Sequence, residues 1–172
     1  MSEVYIIKIL FLSIIQGISE FIPISSSGLL VVFENILNIK NNNLLMNATM
    51  HGGSLMAVVI FFFKDLLGLW KNYQLLINLI IATIPVVIIG SLLKYFSIIE
   101  QMMNIAVIGY STIFFGILLF FSDKNKEEKR LTTSISNKDS LIIGLYQILA
   151  LIPGTSRSGI TMTGARFLKF NR

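Results

Sequence analysis

The sequence predicts an all-α fold: a polytopic membrane protein built as an inverted-repeat helical bundle with two re-entrant helix hairpins, the second repeat incomplete. Three observations predict it. The 172 residues are 54% hydrophobic, with a mean hydropathy of +0.77, and only 13% are charged, about half the share that a water-facing domain carries. Apolar runs long enough to cross a bilayer recur along the chain. A polar pattern of Gln, then Pro, then a Ser-rich turn ending in Ser-Gly occurs twice. The chain reads as one membrane domain over residues 1–172.

The elements follow in order. Residues 1–46 form the first hairpin. The N-terminus lacks the basic stretch of a signal peptide, so the first apolar run belongs to the mature protein. That run, residues 4–15 with Lys8 as its one charge, falls short of the ~20 residues a span needs. It leads into a polar turn and then a second apolar piece, residues 28–39. Three spans follow within residues 47–121, at 47–63, 75–93 and 103–121, the second interrupted by Pro85. Residues 122–139 form a hydrophilic loop. Residues 140–172 repeat the first hairpin, with apolar arms at 141–152 and 160–168. A symmetric protein would continue for three more spans, so the chain reads as a truncated product with a poorly buried second hairpin.

Charge sets an orientation. The formal charge is +5, but the basic residues sit in gaps between apolar runs, which speaks for membrane topology and against a nucleic-acid partner. Lys64 and Lys71 occupy one gap, and Lys124, Lys126, Lys129, Arg130 and Lys138 another on the same side. The opposite gaps hold Lys40 and Lys94. The richer side belongs in the cytoplasm. The first hairpin then enters from outside and the second from the cytoplasm, the arrangement of an inverted repeat whose broken helices meet near the midplane. Trp70 and Tyr73 read as interfacial anchors, residues 61–63 as lipid contacts, and Glu34 as an amphipathic-face residue near the outer interface.

The two polar turns carry the chemistry. Gln16 and Glu20 share a helix face, and Pro23 ends that helix just after Glu20. Ser25, Ser26, Ser27 and Gly28 then offer hydroxyls and backbone N–H groups. A carboxylate at membrane depth needs a partner; the plainer reading is that Glu20 lies at an interface and faces water. The second turn, Gly154, Thr155, Ser156, Arg157, Ser158, Gly159, opens a helix. Such a turn can form an anion-binding nest, and an arginine fork suits two phosphate oxygens. The plainer reading of Arg157 is a structural ion pair with Glu20. Glu20 is the candidate ligand for a divalent cation, Mg²⁺ or Ca²⁺. Cysteine is absent and His51 is the one histidine, which excludes disulfides, thiolate metal sites and His-rich centres. By composition alone His51 is a polar residue packed between helices; the alternative is a base or substrate contact in the same pocket.

These motifs resemble those of the undecaprenyl-diphosphate phosphatases, the bacitracin-resistance family. The first family motif is matched by Gln16…Glu20 and Pro23…Gly28, and the second by Pro153 through Thr161. The likeness runs the whole chain and covers roughly the first two-thirds of a family member. The resemblance implies a bacterial inner-membrane enzyme that removes the terminal phosphate of a polyprenyl diphosphate lipid. It implies a divalent cation and an active site open to the periplasmic or outer side. Glu20, Ser26 and Arg157 carry over as catalytic, with Gln16, Ser25, Ser27, Gly28, Gly154, Ser156, Ser158 and Thr161 in supporting or substrate-binding places. A homodimer is left open. One departure stands out: the family's usual His after the first motif's Gly is Leu29 here, which leaves His51 as the only imidazole that can serve. The competing readings are a carrier that moves the lipid phosphate without hydrolysis, and an inert fragment.

Overall fold

The computed structural model describes residues 3–39, 44–124 and 135–171. Several helices begin or end for a local reason. Helix α1 (Glu3–Phe21) stops two residues before Pro23, whose ring disfavours helical geometry in the residue preceding it. Helix α2 (Ser26–Ile36) starts at the Ser25 cap and closes at Leu37, with Asn38 in the left-handed region at φ 51°. Helix α3 (Leu44–Phe61) bends by 75° into α4 (Phe63–Leu69). Helix α5 (Tyr73–Tyr95) is capped by Asn72 and runs on through Pro85. A short helix, α6 (Ile98–Met102), leads to α7 (Ile105–Lys124). Helix α8 (Asn137–Ile148) opens on a capping box of Ser136 and Asp139, passes into a 3₁₀ turn (Leu149–Leu151), and is followed by α9 (Arg157–Phe167).

All of these elements are helical, and the apolar ones leave most of their large side chains exposed. That is the pattern of a bundle solvated by lipid. Among the described residues three helices are long and apolar enough to cross a membrane: Val4–Phe21 within α1, then α5 and α7. The bent α3–α4 pair makes a fourth if taken as one span. The chain is a multi-pass, all-α membrane protein.

Two expectations change. The first arm is one helix of spanning length rather than a half-helix, and it ends at Phe21, in line with the stop expected from Pro23. Gln16 and Ser19, at 0% and 3% exposure, are buried, and the Ser19 hydroxyl donates to the Gln16 carbonyl. Their polarity is satisfied inside the bundle, so it does not interrupt the helix; the proline does. The span placed at 47–63 is instead the bent α3–α4 pair. Neither Gly nor Pro stands at the bend, and nothing in the structure explains it. Most of the predicted loop at 122–139 lies outside the described residues, though α7 reaches Lys124 and α8 begins at Asn137.

Helix α8 packs along α5, α9 is held between α8 and α7, and α1 carries α2 and α3. The α5–α8 approach is close: a Cβ on Gly144 would stand 2.6 Å from the Ala82 carbonyl oxygen, the small-residue contact that lets membrane helices meet. Leu12, Leu30 and Met50 form a small apolar core beneath the first hairpin. Lys8, the charge inside the first apolar run, donates from Nζ to the Leu37 carbonyl at 2.6 Å. It therefore neutralises the C-terminal end of α2. Glu34 is 4% exposed and hydrogen-bonded by Asn47 of α3, so it is a packed residue rather than one facing the interface.

The internal repeat extends beyond the motif. Helices α2 and α9 each have 11 residues. Past α2, Ile39 N–H bonds the Glu34 carbonyl at 3.0 Å; past α9, Phe170 N–H bonds the Ala165 carbonyl at 3.1 Å. Asn38 and Lys169 take the same left-handed conformation, φ 51° and 66°. Gln16 and Gln147 stand at the same distance in sequence before the capping serines.

Candidate active site

The two Ser-rich turns form one wall-to-wall structure. Ser25 Oγ accepts the Gly28 N–H at 3.2 Å, and Ser156 Oγ accepts the Gly159 N–H at 3.2 Å. Each capping serine also lies near the serine two residues on, Ser27 at 3.3 Å and Ser158 at 3.1 Å. A capping serine satisfies one of the free N–H groups of the first turn and leaves the others for a ligand. The turns touch: a Cβ on Gly159 would lie 3.3 Å from the Pro23 carbonyl oxygen. The Ser111 hydroxyl of α7 donates to the Pro153 carbonyl, and Thr112 donates to the Gly154 carbonyl at 3.0 Å. Gly154 sits at φ 90° with its Cα against the α7 backbone, where no side chain fits.

Between the turns lies a cavity of about 560 Å³, large enough for a diphosphate headgroup. It is lined from one side by Glu20 and Ser25 to Ser27, and from the other by Ser156, Arg157, Ser158 and Thr161. His51 of α3 completes it. The local repeat places Ser26 and Arg157 at equivalent first positions of α2 and α9. Among the described residues no ion pair joins Glu20 to Arg157, so the plainer reading of Arg157 as a structural partner does not hold. The carboxylate has one bond, from Gln16 Nε2 to its Oε2 at 2.8 Å. The guanidinium is exposed to the cavity without a protein partner.

Three of the candidate residues lie behind the wall. Gln16 is fully buried and holds Glu20 from behind; Gly28 and Gly154 shape the turns through their backbones. His51 differs from its plainer reading. It is exposed on the cavity wall, and a Cβ on Gly52 or Gly53 would meet nothing within 4 Å, so this face of α3 is open. Gln16 Nε2 also lies 2.8 Å from His51 Nδ1. Leu29 is half-buried and absent from the wall. The imidazole at this site comes from α3.

Three polar wall residues, Ser19, Gln147 and Thr155, are not among the candidates drawn from the motifs. Gln147 is the repeat counterpart of Gln16, and that register is the signal that marks it. Thr155 is 6% exposed and its Oγ1 has no hydrogen-bond partner among the described residues. A buried hydroxyl without a partner costs about 1–3 kcal/mol, a cost that a ligand oxygen would remove. No signal short of the fold picks out Thr155.

A helical, multi-pass membrane protein with a polar cavity that presents two capped helix N-termini, a carboxylate held by Gln16 and an exposed guanidinium is the class that the fold and site define. The family model described as bacitracin resistance protein BacA matches residues 9–172, and the chain belongs to that family. It is 46% identical over 168 residues to an undecaprenyl-diphosphatase of Pelagibacter ubique, covering 97% of this chain and 66% of the relative. It is 38% identical to one from Ruegeria sp. (97% and 67%) and 39% identical to one from Saccharophagus degradans (97% and 67%). The chain thus spans about two-thirds of the length of the curated relatives it matches.

Proposed function

We propose that this chain carries the reaction centre of a membrane phosphatase that converts undecaprenyl diphosphate to undecaprenyl phosphate and inorganic phosphate. The observation that carries this reading is the presence of opposite charges, Glu20 and Arg157, in one cavity with no ion pair between them among the described residues. Both side chains are exposed to the cavity and are not paired with each other, which leaves them open to a phosphate and its counter-ion. The relatives bear the name of this activity.

The chemistry follows from the residues. The terminal phosphoryl group lies against Arg157 and the N-terminus of α9, which stabilise its charge as it transfers. The oxygen of water bonds to the terminal phosphorus and its proton passes to solvent; with Ser26 as the attacking group a phosphoserine forms instead, which water hydrolyses in a second step to release inorganic phosphate. The bond from that phosphorus to the bridging oxygen breaks, and the electron pair leaves with the lipid monophosphate. Ser26 makes no hydrogen bond within the described residues that would hold its hydroxyl back.

A divalent cation, Mg²⁺ or Ca²⁺, fits a limited role. Glu20 is the cavity's one carboxylate, and no group of three acidic or histidine side chains gathers among the described residues. That donor set suits an ion that takes most of its oxygens from phosphates and water. When bound to Glu20 it would supply charge neutralisation. The reading places the protein in the bacterial inner membrane with the cavity open to the outer side, in keeping with the lysine distribution.

The test uses purified protein in liposomes holding undecaprenyl diphosphate. Release of inorganic phosphate with accumulation of undecaprenyl phosphate supports the reading. Movement of the lipid across the bilayer with no phosphate released would replace it with a carrier.

A further inference from the structure

The hydrogen bonds around Gln16 determine which nitrogen of His51 carries the proton. An ionised carboxylate only accepts hydrogen bonds. The 2.8 Å contact from Gln16 Nε2 to Glu20 Oε2 therefore sets the amide with its NH₂ toward the cavity side. The amide oxygen, Oε1, is buried and has no partner, so nothing rewards the opposite orientation. The same nitrogen lies 2.8 Å from His51 Nδ1. Its first hydrogen goes to Glu20 and its second to Nδ1, so Nδ1 is the acceptor. A neutral imidazole with an accepting Nδ1 carries its hydrogen on Nε2. Gln16 is 0% exposed, which leaves the amide little room to turn.

We propose that His51 binds the substrate as a donor, through Nε2–H to a phosphate oxygen, and that Gln16 is the positioning residue that fixes this tautomer. The proposal rests on the phosphatase reading and deepens it. It assigns the only imidazole of the chain a role opposite to that of a base: in this arrangement the lone pair of Nδ1 is occupied and Nε2 has none to offer. Activation of Ser26 or water then falls to another group. It also gives one amide two tasks, since the bond that orients His51 is made by the nitrogen that holds Glu20.

The chain's single histidine makes the test direct. In protein labelled with ¹⁵N-histidine in detergent micelles, the imidazole spectrum reports one tautomer, with hydrogen on Nε2. Gln16→Leu yields a mixture of the two. Addition of pyrophosphate shifts the His51 Nε2 resonance and the Arg157 side-chain resonance together. His51→Leu weakens pyrophosphate binding about ten- to a hundred-fold, the usual worth of a hydrogen bond to a charged group, whereas His51→Gln, which keeps an N–H donor, loses clearly less. A majority of the Nδ1–H tautomer overturns the proposal. So does a pyrophosphate response at Arg157 with none at His51, which leaves the phosphatase reading standing. A response at neither nitrogen overturns both.

Discussion

Ser25 and Ser156 cap their helices in the same way, each accepting the N–H of the glycine three residues on at 3.2 Å. Their backbones agree as well, with φ −71° and −72°. Because loss of a serine cap costs about 1 kcal/mol, Ser25→Ala and Ser156→Ala are expected to lower the midpoint of thermal unfolding by similar small amounts. Circular dichroism melts in one detergent check this. Tenfold different sensitivities would show that the two turns are not equivalent supports.

Gly154 and Gly28 belong to the two turns at different places, before and after the capping serine, and predict different costs. Gly154→Ala puts a side chain into the α7 backbone from a conformation at φ 90°. This strain and the clash together are expected to cost about 3 kcal/mol or more. Gly28→Ala meets the Ile108 Cγ2 methyl at 3.1 Å and the Ser25 hydroxyl at 3.2 Å, contacts that a shift of a few tenths of an ångström relieves. It is expected to cost about 1 kcal/mol. Chemical denaturation of both variants, side by side, separates them.

The α5–α8 contact offers a prediction away from the site. Gly144→Val would push its Cβ branch into the Ala82 backbone, which lies 2.6 Å from even the first added carbon. Helix separation follows, so protease accessibility of α8 should rise sharply. An unchanged digestion pattern would mean that α5 and α8 do not pack as described.

Glu20 and Arg157 share a cavity without a bond between them, and that separates stability from function. Removing one partner of a buried ion pair leaves the other stranded and costs several kcal/mol. Here there is no pair to break. Glu20→Gln and Arg157→Lys are expected to unfold within about 0.5 kcal/mol of the parent protein. A large loss of stability in either variant would argue for a structural bridge.

Much of this site is legible in the sequence because its signals are local. Pro23 stops α1, Ser25 and Ser156 cap α2 and α9, and the repeated Ser-Gly ending marks both turns. The parts that are not legible depend on packing across helices. The polar Gln16 and Ser19 shorten the apolar run of the first arm, and only their burial inside the bundle shows that α1 has the length of a full span. His51 carries no local mark of function; the approach of α3 to α1 brings it to Gln16. The bend after Phe61 has no sequence signal at all.

The central claim is that the cavity between the two turns is a reaction centre for a lipid diphosphate. The most direct measurement is phosphate release from undecaprenyl diphosphate by the protein and its folded Glu20→Gln and Arg157→Lys variants, at matched unfolding midpoints. The account predicts release by the parent and a fall of about a hundred-fold or more in both variants, since each loses a charge or a fork that acts on the transferring phosphoryl group. Parent-like release by both variants would contradict it.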